Sequence, residues 1–211
     1  MSVPDPLVTA LEARINELIN KFIQDQINDE QAEPLTYTPD PDKLAAFRLL
    51  AHAELEEFIE TKAKHSLIAK RQTITAGNFK TREHPEIFAI SNILDYKLPT
   101  EHPFDTAKFL KSIEDLIKAA ERTISDNNGI KASSFQKLSI FSGKMIDEID
   151  ETLAASLSSY GKFRGDVAHK SASRVSNFLA PSIEAKSAVD LVAGLKLFFA
   201  APAQQPNGTA N

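Results

Sequence analysis

The stretch Tyr160-Gly161-Lys162-Phe163-Arg164-Gly165-Asp166-Val167-Ala168-His169-Lys170 differs in kind from the rest of the chain. From Lys162 to Arg174 it carries four basic residues and one acid, although the whole sequence is acidic, with a net charge of -5. Arg164 and His169 are the residues here whose types do chemistry. A neutral imidazole with a pKa near neutrality accepts or donates a proton at physiological pH. A guanidinium grips phosphate oxygens in a fork and stabilises charge developing on them. The two groups together suffice for attack of an RNA 2′-hydroxyl on its own phosphate without a metal ion. Lys162, Lys170 and Arg174 are candidates for contacts to RNA phosphates, which add salt-sensitive affinity and no sequence preference. The alternative is a surface arginine and a helix-end histidine that serve solubility or capping.

How the pair is positioned depends on the local backbone. In an uninterrupted helix five residues rotate by about 140° net, so positions 164 and 169 do not share a face. Gly161 and Gly165 read as breaks, which makes Asp166 the expected N-cap of a following helix with His169 in its first turn. Arg164 would then project from the preceding turn toward the imidazole. The positive end of a helix dipole favours neutral histidine, and Asp166 opposes it.

Other chemistries find less support. The remaining histidines (His52, His65, His84 and His102) form no His-x-x-x-His or His-Glu-x-x-His pair, so no metal site is expected. Neither Gly-x-x-x-x-Gly-Lys-Ser/Thr nor Gly-x-Gly-x-x-Gly occurs, and no cofactor is expected. Carboxylate runs such as Glu54/Glu56/Glu57 and Asp147/Glu148/Asp150/Glu151 read as solvated helix faces, with Glu54 or Glu57 a candidate buried anchor. The chain has no cysteine, which excludes thiol catalysis, disulfides and cysteine-ligated metals. No stretch is long and apolar enough to span a bilayer, and the first residues lack the pattern of a signal peptide. A cytoplasmic protein without a membrane contact is the expectation.

The elements that carry these residues read as helices throughout. Asp5-Pro6 opens the first, with Val8, Leu11, Ile15, Leu18 and Phe22 as its apolar stripe to about Asn28. Asp40-Pro41 opens the second, on Leu44, Phe47, Ala51, Leu55, Phe58 and Ile59, to about Ala69. Residues 71–84 read as a loop. A short helix after Pro85, one from Asp105 that ends at Asp126-Asn127-Asn128-Gly129, and a short one around Phe135 and Leu138 follow. A longer helix is expected on Ile146, Ile149, Leu153 and Leu157, ending near Gly161. Beyond Gly165 a helix on Ala168, Ala172, Val175 and Phe178 stops at Pro181, and Ser182 is the expected cap of the last, on Ala188, Val192, Leu195 and Phe199. No segment alternates with period two. The expected fold is an all-α helical bundle with long loops, one domain over residues 1–200, and a disordered tail over 201–211.

Three segments, in order, resemble the HEPN superfamily of all-α RNA-processing domains, and its small prokaryotic defence and toxin members above all. Ala51-His52-Ala53-Glu54-Leu55-Glu56-Glu57-Phe58-Ile59 is similar to the second-helix signature. Asn127-Asn128-Gly129-Ile130-Lys131 is similar to an Asn-x-Gly-Ile-Lys turn. Arg164 to His169 matches the Arg-x(4–6)-His motif. Together they cover residues 44–180.

The resemblance implies a homodimer whose two motifs line a shared cleft, and a metal-independent endoribonuclease that leaves a 2′,3′-cyclic phosphate and a 5′-hydroxyl. Arg164 is then the phosphate ligand and His169 the general acid or base. Gly165 stands where a polar residue is common after the arginine, and Asp166 is the candidate to supply that contact. Ser171 stands where some relatives carry tyrosine, which argues against the modification chemistry of those members. The function implied is a toxin or antiphage effector acting on RNA, with a cognate antitoxin or defence protein as possible partner. The alternatives are a non-catalytic HEPN-like module that binds RNA or protein in a defence or regulatory complex, and a helical oligomerisation scaffold. The latter has no need of an Arg164/His169 pair.

Overall fold

The computed structural model describes residues 5–169 and 179–200, residues 163–169 by their backbone alone. The described residues form eight α-helices and two short 3-10 turns, with no strand among them: α1 (Pro6–Phe22), α2 (Gln24–Ala32), α3 (Pro41–Thr75), α4 (Glu86–Ile93), α5 (Thr106–Ser125), α6 (Ala132–Phe141), α7 (Glu151–His169) and α8 (Pro181–Phe199). The fold is an all-α bundle, as the periodicity predicts. The expected helix over Ala172–Phe178 and the tail 201–211 lie outside the described residues.

Helix starts follow the local chemistry. The carboxylates of Asp5, Asp40 and Asp105 each accept from backbone N–H groups of the first turn, at 3.0 Å from Leu7, Asp42 and Lys108 respectively. Pro6 and Pro41 occupy first-turn positions where no intrahelical donor is lost. Burial works against ionisation of Asp5, but the Lys62 ammonium and the N–H groups of the first turn outweigh it and hold this carboxyl below its ordinary range.

α3 is the axis of the bundle. Its 35 residues extend about 52 Å at 1.5 Å each, and α1, α5, α6, α7 and α8 all pack on it. All six expected stripe residues, Leu44 to Ile59, are buried, and α3 continues beyond Ala69 to Thr75 with Leu67 and Ile74 still in the core. The polar run from Arg71 onward hid this continuation, because only one face of the last turns is covered.

Four further expectations are corrected. The first helix breaks at Ile23 (φ -132°, ψ -6°), and α2 sets off on its own. This turn brings Gln26 to the Pro-rich linker, where its Oε1 accepts from the Tyr37 hydroxyl at 2.7 Å and the Asp40 N–H at 2.8 Å. Ile146 lies in a separate 3-10 turn (Ile146–Glu148) and Ile149 is extended, so α7 begins only at Glu151. Ser182 is not the cap of α8: Ala180 stands there, and the Ser182 N–H and hydroxyl both reach Glu30 of α2, at 2.9 and 2.8 Å.

The fourth correction bears on the site. α7 runs without interruption through Gly161 and Gly165 to His169, so Asp166 is an interior helix residue and not an N-cap. A glycine inside a helix costs about 1 kcal/mol relative to alanine, which packing easily offsets. At Gly161 the packing is visible: a Cβ there would lie 3.3 Å from Ile130 Cγ1 and 3.4 Å from His52 Nε2. The missing side chain lets α7 approach α3 closely.

Candidate functional site

The continuous α7 places positions 164 and 169 five residues apart on one helix, about 140° around its axis and 7.5 Å along it. The bend at Gly165 that would have joined them within one chain is absent. Lys162 is exposed on the same helix. Of Arg164, Asp166 and His169 the backbone alone is described, and Lys170 and Arg174 lie outside the described residues.

The turn of α7 that precedes position 164 is anchored on two sides. On one side Gly161 faces His52 of α3, a fully buried histidine whose Nδ1 lies 3.6 Å from Glu56 Oε2 one turn further along. Glu56 in turn holds the loop between α5 and α6. Its Oε1 accepts from the Gly129 N–H and, at 3.3 Å, from Asn127 Nδ2, while Glu60 accepts from the same amide at 3.0 Å. Gly129 sits at φ +96°, a left-handed conformation that favours glycine, and Asn127 closes the turn through the Gly129 carbonyl at 3.2 Å. The helix-terminating run Asp126 to Gly129 is thus a tethered loop. Its Ile130 supports Gly161 from the other flank.

On the second side Tyr160, 6% exposed, faces the buried ion pair between Arg48 of α3 and Glu184 of α8. Glu184 Oε2 accepts from Arg48 Nε at 3.3 Å, its Oε1 accepts from Arg48 Nη2, and that same oxygen takes the Leu179 N–H at 3.1 Å. Burial raises the Tyr160 phenol far above its ordinary range, and the Arg48 charge only partly counters this. A cleft of about 510 Å³ opens beside these groups, with Asp150, Ser156 and Asp190 on its walls.

Two of the three segments singled out in the sequence, 51–59 and 127–131, therefore meet at Gly161, one helical turn before Arg164. Sequence reasoning missed the ion pair of the second anchor. Arg48 and Glu184 fall on the apolar stripes of their own helices, four residues from Leu44 and Ala188. A charge on an apolar stripe signals a buried pair, but not its partner 136 residues away. The proposed anchors Glu54 and Glu57 do not fill that role: Glu54 pairs with Arg14 at 2.9 Å and Glu57 is exposed.

Glu56→Ala removes the acceptor shared by Gly129 and Asn127 and should cost about 2 kcal/mol in urea unfolding. Glu57→Ala, one residue on, should stay within about 0.5 kcal/mol of the parent.

The described histidines assemble no metal centre: no group of three His, Asp or Glu residues suited to a metal ion occurs among the described residues. His84 stacks on Phe79 with ring centres 4.8 Å apart, and His65 is exposed. No helix among the described residues is long and apolar enough to cross a membrane. No protein-family model, no curated protein and no solved structure matches this chain.

Proposed function

We propose that this chain is a metal-independent endoribonuclease of the HEPN type, acting as a homodimer in the cytoplasm as a toxin or antiphage effector. The observation that supports this most is the junction at Gly161. It joins the three segments that carry the resemblance, because the Arg164–His169 helix leaves directly from the place where His52 and the Asn127–Gly129 loop pack.

In the proposed reaction His169 takes the proton of a ribose 2′-hydroxyl, and the oxygen attacks the adjacent phosphorus. Arg164 holds the non-bridging oxygens as negative charge builds on them. The bond to the 5′-oxygen breaks and that oxygen is protonated, leaving a 2′,3′-cyclic phosphate and a 5′-hydroxyl. Asp166 is a polar contact within the motif, and Lys162, Lys170 and Arg174 are contacts to flanking phosphates. A cognate antitoxin or defence-system protein is the proposed partner.

Incubation with total RNA tests this. Cleavage should proceed unchanged in EDTA and leave ends that resist ligation until the cyclic phosphate is opened. Activity lost on chelation and restored by a divalent ion would overturn the mechanism. The excess of 29 acidic over 24 basic residues favours, as a second reading, a non-catalytic module that docks on a partner protein. RNA left intact by a chain that still captures its partner would support it.

A further inference from the structure

The cleft of about 510 Å³ beside Tyr160 contains none of the groups proposed for RNA cleavage, and its volume falls in the range of small-molecule sites. It lies between α7 and α8. Gly194 packs on Leu153 toward one end, and Tyr160 and Glu184 meet at Arg48 toward the other. The two helices therefore run antiparallel along the cleft.

The polar groups on its walls act as acceptors. The hydroxyls of Ser156 and Ser187 donate to the Thr152 and Ile183 carbonyls, at 2.9 and 2.8 Å, so what each has left to offer is oxygen lone pairs. Asp150 accepts from the Leu153 N–H at 2.9 Å through Oδ1 and enters no ion pair among the described residues. Asp190 pairs with the exposed Lys186 at 2.5 Å, and such a surface pair is worth little. The cation of the wall, Arg48, is already held by Glu184.

A second, independent observation concerns the inner end. Tyr160 is 6% exposed, and its hydroxyl makes no hydrogen bond among the described residues. A buried hydroxyl without a partner is uncommon in native proteins. Because Tyr160 lines the cleft, this oxygen is available to an N–H group of a ligand. Leu153 and Leu191 add apolar surface between the polar groups.

We propose that the α7/α8 cleft binds a linear polyamine. Its ammonium groups supply positive charge and several N–H donors, which the two carboxylates and the hydroxyl oxygens accept. Its methylene chain lies on Leu153 and Leu191. The spacing suits a chain better than a single charge. Asp190 is four residues from Gly194, which lies against Leu153, so Asp150 and Asp190 stand about 10 Å apart along the cleft at 1.5 Å per residue. One ammonium group cannot reach both, whereas amines joined by short methylene chains can. A phosphate or carboxylate is a poor occupant, because it would face acids and acceptors. The proposal does not depend on the ribonuclease reading.

Calorimetric titration of the full chain with spermidine at low salt should give one site per chain. Asp150→Asn and Asp190→Asn should each weaken binding about tenfold, and asparagine at 150 keeps a side-chain oxygen for the Leu153 N–H. Tyr160→Phe, which removes the hydroxyl and keeps the ring, should weaken it about fivefold. Glu57→Gln, at an exposed acid of α3 outside the cleft, should leave it unchanged. Hexanediol, an uncharged chain, and inorganic phosphate should not bind. No saturable binding of spermidine, equal affinity for the diol, a cleft variant that binds as the parent does, or an equal loss in Glu57→Gln would overturn the proposal. RNA cleavage is a separate readout, so failure of either idea leaves the other standing.

Discussion

His169→Ala should lower RNA cleavage by about 10²- to 10⁴-fold, the range for loss of a general acid or base. Arg164→Ala, which removes the group proposed to stabilise charge on phosphorus, should cost about 10²-fold or more. Far-UV circular dichroism should not change for either, because both positions lie within α7 and alanine favours a helix interior. Unfolding of either variant, or full activity of both, would contradict a catalytic role.

The continuous helix sharpens this test. With no bend at Gly165, residues 140° apart around one axis reach one phosphate most simply when each comes from a different chain. A mixture of Arg164→Ala and His169→Ala chains should then regain activity. After full exchange about half the dimers are mixed and each rebuilds one of two sites, so recovery should be about a quarter of the parent activity for independent sites. No recovery, with exchange confirmed by tagged subunits, would rule out this arrangement and leave a site within one chain or one that needs all four groups together.

Glu184→Ala and Arg48→Ala should each destabilise the protein by about 3–5 kcal/mol, because each breaks a buried ion pair by removing one of its members. Replacing both, by Arg48→Met and Glu184→Leu, should recover most of the loss, since apolar groups of similar volume substitute well for a buried pair. About 1–3 kcal/mol should stay lost, because the Leu179 N–H no longer has Glu184 as acceptor. Urea unfolding with an unchanged slope distinguishes these cases. A double variant as unstable as the worse single one would show that the charges do more than neutralise each other.

The helical class, the buried stripe of α3 and most of those of α1 and α8, and the helix starts at Asp5, Asp40 and Asp105 were legible in the sequence. Each is a matter of spacing within a few residues: a 3.6-residue period selects one face, and a side-chain oxygen reaches its own first turn. The candidate pair Arg164 and His169 was legible in the same way, as residue types at a short spacing.

What the sequence could not determine involves residues far apart in the chain. Gly161 and Gly165 read as breaks because glycine weakens an isolated helix. At Gly161 the fold decides otherwise, as contact with His52 and Ile130 outweighs a penalty of about 1 kcal/mol. Ser182 satisfied the local rule for a cap, yet Glu30, 152 residues away, takes its donors. Arg48 and Glu184 stand on the apolar stripes of their own helices, and only the packing of α3 against α8 pairs them. Local propensity is worth tenths to about one kcal/mol per residue, whereas apolar burial and the cost of breaking a buried ion pair are worth several, so the tertiary structure decides wherever the two disagree.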